Sequence, residues 1–81
     1  MEKVITIKDT AGLHAQLATK LVQISNKFDV VVRLEYENIT VDAKSILGLM
    51  SLAVPSGKNI RFIADGEDAQ EAINEIQNLL E

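Results

Sequence analysis

Residues 11–28 read AGLHAQLATKLVQISNKF and hold the only histidine of the chain, His14. The Ala11-Gly12 pair breaks whatever element precedes it. Beyond it, Leu13, Leu17, Leu21, Ile24 and Phe28 recur at steps of three and four residues, the spacing of one apolar stripe on a helix. Lys20, Gln23 and Lys27 fall off that stripe, and Asn26-Lys27-Phe28-Asp29 closes the segment. The histidine therefore falls at the start of an amphipathic helix, and the glycine before it marks where a strand has ended.

On the N-terminal side, Lys3, Ile5 and Ile7 alternate with Val4, Thr6 and Lys8, which predicts a short two-faced strand. On the C-terminal side, VVVRLEYEN is β-branched and then alternating, Asn38 suits a turn, and ITVD reads as the returning strand of a hairpin. AKSILGLMSLAV follows as a short helix opened by Ser45 and ended before Pro55 and Gly57. KNIRFIAD is a fourth strand. Asp65 and Gly66 lead into a last helix whose apolar face is Ala69, Ala72, Ile73, Ile76, Leu79 and Leu80, with acids concentrated in its first turn. The order β-α-β-β-α-β-α, with one greasy side on each helix, predicts a two-layer α/β sandwich with the helices on one sheet face.

Eighty-one residues, 47% hydrophobic and 25% charged, predict one soluble globular domain spanning residues 1–81. A chain of this size buries roughly 60–65% of its unfolded surface, enough for a modest core. It has no cysteine, so disulfides and thiolate metal sites are excluded, and one histidine does not make a zinc site. No cofactor or metal is expected. No apolar run approaches ~18 residues and the N-terminus is not a signal peptide, so a cytoplasmic protein without membrane insertion is expected. A net charge of -4 argues against direct binding to nucleic acid. A nucleotide-binding Gly-Lys-Ser/Thr loop is absent, and the acids look solvated rather than metal-binding. A hydrolase is disfavoured as well, because the sequence displays neither a nucleophile elbow nor a carboxylate at a recognisable spacing from His14.

Two short segments carry the chemistry that remains. A helix start offers unpaired N–H groups and the positive end of the macrodipole, a berth for phosphate. A neutral imidazole placed there offers a nucleophilic nitrogen that can accept a phosphoryl group. Spacing alone favours the plainer reading, an exposed polar residue near a helix end. Ser45 reads as an N-cap worth ~1 kcal/mol, or as a site where an added phosphate meets a favourable dipole. Around it Ile46, Leu47, Leu49, Met50, Leu52 and Val54 exceed one face of a short helix, so some form either an exposed docking patch or part of a small core.

Taken together, GLHAQLATKLV, KSILGLMSLAVPSG and ADGEDAQEAINEI, at this spacing, resemble the HPr family of histidine-containing phosphocarrier proteins of the bacterial sugar phosphotransferase system. The resemblance covers almost the whole chain. It implies an open-faced sandwich, an α+β fold of four antiparallel strands and three helices. It implies that His14 takes phosphate from the phosphoenolpyruvate-using enzyme I and passes it to sugar-specific IIA-type acceptors, with the N–H groups of Ala15 and Gln16 cradling the phosphate. Ser45 matches the serine modified by HPr kinase/phosphorylase, a mark that slows transfer and promotes binding to a catabolite repressor. Ile46, Leu47 and Met50 match the patch on which partners dock.

The chain departs from the family's usual His-Ala-Arg-Pro-Ala run, reading His14-Ala15-Gln16-Leu17-Ala18. Gln16 lacks the arginine's charge, and hydrogen bonds to charged groups are worth roughly 1.5–3 kcal/mol, so transfer is expected to slow ~10–100-fold. Leu17 continues the apolar stripe and restores a backbone N–H that proline lacks. Ala11 offers no side-chain donor where relatives carry a small hydroxyl or amide. Lys20, one turn beyond Gln16, is the candidate to replace part of the missing charge and to meet partners. The Ser45 segment is intact. An alternative reading is therefore a regulatory binding module that acts through Ser45 with weak histidine chemistry.

Overall fold

The computed structural model describes all 81 residues, Met1–Glu81. Four strands, β1 (Glu2–Thr6), β2 (Val31–Tyr36), β3 (Ile39–Asp42) and β4 (Asn59–Asp65), form one sheet in the order β1-β4-β2-β3, every neighbour antiparallel. Strand alternation decides which side chains go in. Ile5, Val32, Leu34, Ile60, Phe62 and Ala64 are fully buried on one face. The other face carries Arg61, which bridges Glu2 and Glu35 across three strands. These are exposed ion pairs of small energetic value.

Helices α1 (Ala15–Lys27), α2 (Ile46–Leu52) and α3 (Ala69–Leu80) cover the apolar face. α1 buries Leu17, Ala18 and Leu21, with Ile24 and Phe28 half-buried, much as its stripe indicated. It also buries Ser25, which the stripe omitted. The hydroxyl donates to the Leu21 carbonyl at 2.9 Å, so a small polar group enters the core without an unmet hydrogen bond. α3 buries Ala72, Ile73, Ile76 and Leu80. A single cluster of 20 residues results, and it includes Ile7, Leu13, Ala43, Leu49, Leu52 and Val54 from the connections and the short helix.

Two local details differ from expectation. The hairpin turn uses both Glu37 and Asn38 at positive φ (49° and 67°), the two-residue geometry that matches strand twist. Asparagine tolerates this conformation, and glutamate carries the strain. The acids expected in the first turn of α3 reduce to Glu71. Asp68 precedes the helix, and its carboxylate accepts the Asp29 N–H at 2.8 Å, tying the end of α1 to the start of α3.

The outer edge of β1 is closed by the end of α3. The Lys8 N–H donates to the Leu80 carbonyl at 3.0 Å, and the Thr6 N–H donates to Glu81 Oε2 at 3.0 Å. The Thr6 bond, and then one from the Gln77 amide, hold the Glu81 carboxyl below its ordinary range. A folded-state value below the unfolded one means the unfolded chain binds more protons at acid pH. The contribution is complete above the unfolded value and lost as pH falls through the folded one. Glu81→Gln is expected to lower Tm at neutral pH, with the difference from the parent shrinking in acid; thermal melts across pH check this.

Candidate functional site

The loop from Asp9 to His14 is held by backbone geometry before any side chain contributes. Gly12 has φ 69°, a left-handed conformation, and a Cβ there would lie 2.4 Å from the Val54 carbonyl oxygen. Only glycine makes that approach without strain. The next residue uses the contact, since the Leu13 N–H donates to the Val54 oxygen at 2.9 Å. The loop is thereby clamped to the segment that follows α2, and His14 is carried to the start of α1.

His14 is the N-cap of α1 and lies just outside the helix, with extended backbone (φ −87°, ψ 175°). Its carbonyl accepts the first helical bond, from the Ala18 N–H at 2.9 Å. Its ring does what a serine or aspartate usually does at this position. Nδ1 accepts the Gln16 N–H at 3.2 Å. The N–H groups of Ala15 and Leu17 have no protein acceptor. The Gln16 amide thus sits at the ring and is occupied in the resting state, the Ala15 amide follows His14 directly, and Leu17 adds an amide that proline would remove.

The ring's other nitrogen is also engaged. Nε2 lies 3.2 Å from Asp9 Oδ2, while Asp9 Oδ1 accepts the Ala11 N–H at 2.9 Å. The Ala11 amide, and then His14, hold the Asp9 carboxyl below the usual carboxylate range. An ionised Asp9 accepts hydrogen bonds only. Nδ1, facing an N–H, must present a lone pair, so in the neutral ring the proton sits on Nε2 and is donated to Asp9. The expectation of no carboxylate beside His14 is therefore corrected. Asp9, five residues upstream, reaches the ring because the chain reverses at Gly12. A legible signal was available: an aspartate two residues before an Ala-Gly pair is suited to capping its own turn.

Lys20 lies one turn beyond Gln16. With Gln16, Thr19 and Gln23 it lines a shallow open groove, and it joins none of the chain's ion pairs. Its ammonium is free to meet an anion.

Ser45 caps α2, its Oγ accepting the Gly48 N–H at 3.0 Å, and the residue is exposed. The six apolar residues after it divide evenly. Leu49, Leu52 and Val54 are buried, whereas Leu47 is 83% exposed, Met50 39% and Ile46 38%. The helix is seven residues long, about 10 Å at the usual rise. Gly12 and Leu13, the two residues before His14, meet Val54 just past the helix's C-terminal end, and Ser45 stands at its N-terminal end. The structure therefore gathers His14, Ala15 and Gln16 around one ring, keeps Ser45 apart, and sets Ile46, Leu47 and Met50 on the helix between. No group of three or more acidic or histidine side chains is arranged to hold a metal.

The family described as the PTS HPr component phosphorylation site matches residues 1–81. HPr-C-His from Thermoanaerobacter tengcongensis is 41% identical and superposes with a TM-score of 0.92 over 99% of this chain and 90% of that one. The phosphocarrier protein HPr from Bacillus anthracis is 34% identical, with a TM-score of 0.94 over 100% and 96%. Crh, the catabolite repression containing protein of Bacillus subtilis, is 42% identical, with a TM-score of 0.78 over 94% and 87%. The chain belongs to the HPr family, and its β-α-β-β-α-β-α order with a four-stranded antiparallel sheet is the fold of that family.

Gly12→Ala tests the clamp. The added Cβ meets backbone that has no rotamer to yield, and alanine is strained at this φ. Destabilisation of roughly 2–4 kcal/mol is expected, read as a drop in Tm with weakened amide protection at Leu13.

Proposed function

We propose that this protein is a phosphoryl carrier of the phosphoenolpyruvate-dependent sugar phosphotransferase system and that His14 Nδ1 is the atom that carries the group. The observation behind this reading is the geometry of the ring. Nδ1 holds a lone pair at the N-terminus of α1, beside one N–H it already uses and two that have no partner. As Nδ1 attacks the phosphoryl group of the phosphorylated enzyme I, a N–P bond forms, the donor's bond to phosphorus breaks, and Nε2 keeps its proton. The Gln16 amide then loses its partner on Nδ1. Together with the Ala15 and Leu17 amides and the helix dipole, it supplies the donors for the new phosphate oxygens. The reverse step hands the group to a IIA-type acceptor. Donor and acceptor dock in turn on Ile46, Leu47 and Met50, with Lys20 answering the acidic groups at their sites. This places the protein in the cytoplasm with those partners. It is a co-substrate, turned over by other enzymes.

Gln16 leaves the transferred group without a guanidinium. Its side-chain amide donates a neutral hydrogen bond, roughly half as strong as a charge-assisted one. Transfer is accordingly slower than an arginine at this position would allow.

A second reading is favoured by a separate observation. The Ser45 hydroxyl is exposed at the cap of α2, beside the apolar residues that face solvent, and the segment shows none of the departures found around His14. Crh, with its catabolite repression role, is among the similar structures. A phosphate on Ser45 would meet the helix dipole and the Gly48 N–H. In that case HPr kinase is the modifying enzyme and a catabolite repressor reads the mark.

Two labelling reactions separate these readings. Phosphoenolpyruvate with enzyme I is expected to give an acid-labile label that His14→Ala abolishes; no label under this condition removes the carrier reading. ATP with HPr kinase is expected to give an acid-stable label that Ser45→Ala abolishes. In the first reaction Gln16→Arg is expected to speed labelling about 10-fold, the lower end of what a charge-assisted contact supplies; quenched-flow labelling measures it.

A further inference from the structure

We infer that Asp9 is a positioning residue for His14: its carboxylate fixes the imidazole as the Nε2–H tautomer and so keeps Nδ1 as the phosphoryl-accepting atom. The inference rests on the carrier reading for its consequence, though not for its geometry.

The hydrogen bonds around the ring form a closed set. The Ala11 N–H donates to Asp9 Oδ1 at 2.9 Å, Oδ2 lies 3.2 Å from Nε2, and the Gln16 N–H donates to Nδ1 at 3.2 Å. Two of these groups are backbone donors that cannot change role, and a carboxylate only accepts. One neutral ring satisfies all of them, with its proton on Nε2 and its lone pair on Nδ1. The other tautomer sets a lone pair against a carboxylate and an N–H against an N–H. The turn needs only Oδ1, and Oδ2 is therefore spare, aimed at the ring. His14 and Asp9 side chains are 29% and 39% exposed, so the contact is open to a docking partner and only partly screened by water.

The same carboxylate acts during transfer. When Nδ1 takes the phosphoryl group and Nε2 keeps its proton, the ring becomes cationic. Asp9 sits across the ring from the new bond and balances that charge. A protonated ring is the better leaving group in the onward step, since the electrons of the N–P bond return to Nδ1 of a neutral imidazole. The carboxylate thus supports the reaction from the side of the ring opposite the phosphate, where the absent arginine would not have acted.

Asparagine and alanine at position 9 separate this role from plain capping of the turn. Asparagine keeps an oxygen for the Ala11 N–H but turns an NH2 toward Nε2, which favours a lone pair there and the proton on Nδ1. Alanine loses the turn's acceptor yet leaves the Gln16 N–H to hold Nδ1 as an acceptor. A residue that only caps the turn makes Asp9→Asn milder than Asp9→Ala; a residue that positions the ring makes it the more damaging. Long-range proton–nitrogen NMR at alkaline pH, where the ring is neutral, is expected to show the Nε2–H form in the parent and a shift toward Nδ1–H in Asp9→Asn. Phosphorylation by enzyme I is expected to fall about 10-fold or more in Asp9→Asn, the scale at which removing a carboxylate that orients a histidine is felt, and less in Asp9→Ala. Melting curves confirm that both variants fold. An asparagine variant that keeps the Nε2–H ring, or that is phosphorylated faster than the alanine variant, overturns the inference. A parent that takes no label on His14 sinks the carrier reading alone, since the tautomer comparison is made on unphosphorylated protein.

Discussion

The contact between Gly12 and the Val54 carbonyl is the constraint on which the rest of the site depends. It holds the reversal of the chain between β1 and α1, and delivers Leu13 to the core and His14 to the start of α1. It also binds that loop to the residues that follow α2. The position of the imidazole is thus set by backbone approach, which tolerates little change, and by a core into which Leu13, Leu52 and Val54 all pack. Side chains around the ring vary more cheaply. Gln16 and Leu17 replace an arginine and a proline without disturbing the helix, because both are good helix formers and Leu17 adds to the buried stripe.

His14 has a structural duty that its proposed chemistry interrupts. As N-cap it satisfies one of the four N–H groups left over at the helix start, a role worth about 1 kcal/mol. Accepting a phosphoryl group on Nδ1 gives up that bond. The loss is small because the incoming oxygens are better acceptors than a neutral nitrogen and the same N–H turns to them. The resting cap is therefore a placeholder. On the proposed carrier reading, it keeps the ring aligned and the amides pointed at the spot a phosphate on Nδ1 would occupy, so that little reorganisation would accompany transfer.

Most of the fold was legible because its signals are periodic. Alternation in the strands and three-four steps in the helices separated core from surface with few errors, and the boundaries lie within a few residues. Ser25 escaped because its burial is made possible by a local bond to Leu21, which no apolar pattern records. The pairing of strands in the order β1-β4-β2-β3 did not follow from periodicity, and the family resemblance implied only that four strands pair antiparallel. In the site, the position of His14 and the exposed part of the Ser45 helix were readable. Asp9 was readable only as a cap of its own turn; its contact with His14 was not, because its distance along the chain says nothing until the turn at Gly12 folds it back. The use of the Gln16 amide in the resting state was hidden for a related reason: a cap made by a ring nitrogen has no sequence signature.

Replacing the arginine shifts where the site finds its favourable electrostatics. A guanidinium would meet the phosphate directly, through charge and a fixed fork of donors. In its place the site has backbone dipoles, which carry no net charge, and Lys20, which is exposed and in no ion pair. Ordered amides gain their effect from being held in place, and here Gly12, Leu13 and the first turn of α1 hold them. A lysine on a mobile stem contributes mainly when a partner covers it and removes water. On the carrier reading proposed above, the site would depend more on docking than one with its own arginine, and the solvent-facing side of α2, where Leu47 is exposed, is the surface proposed to supply it.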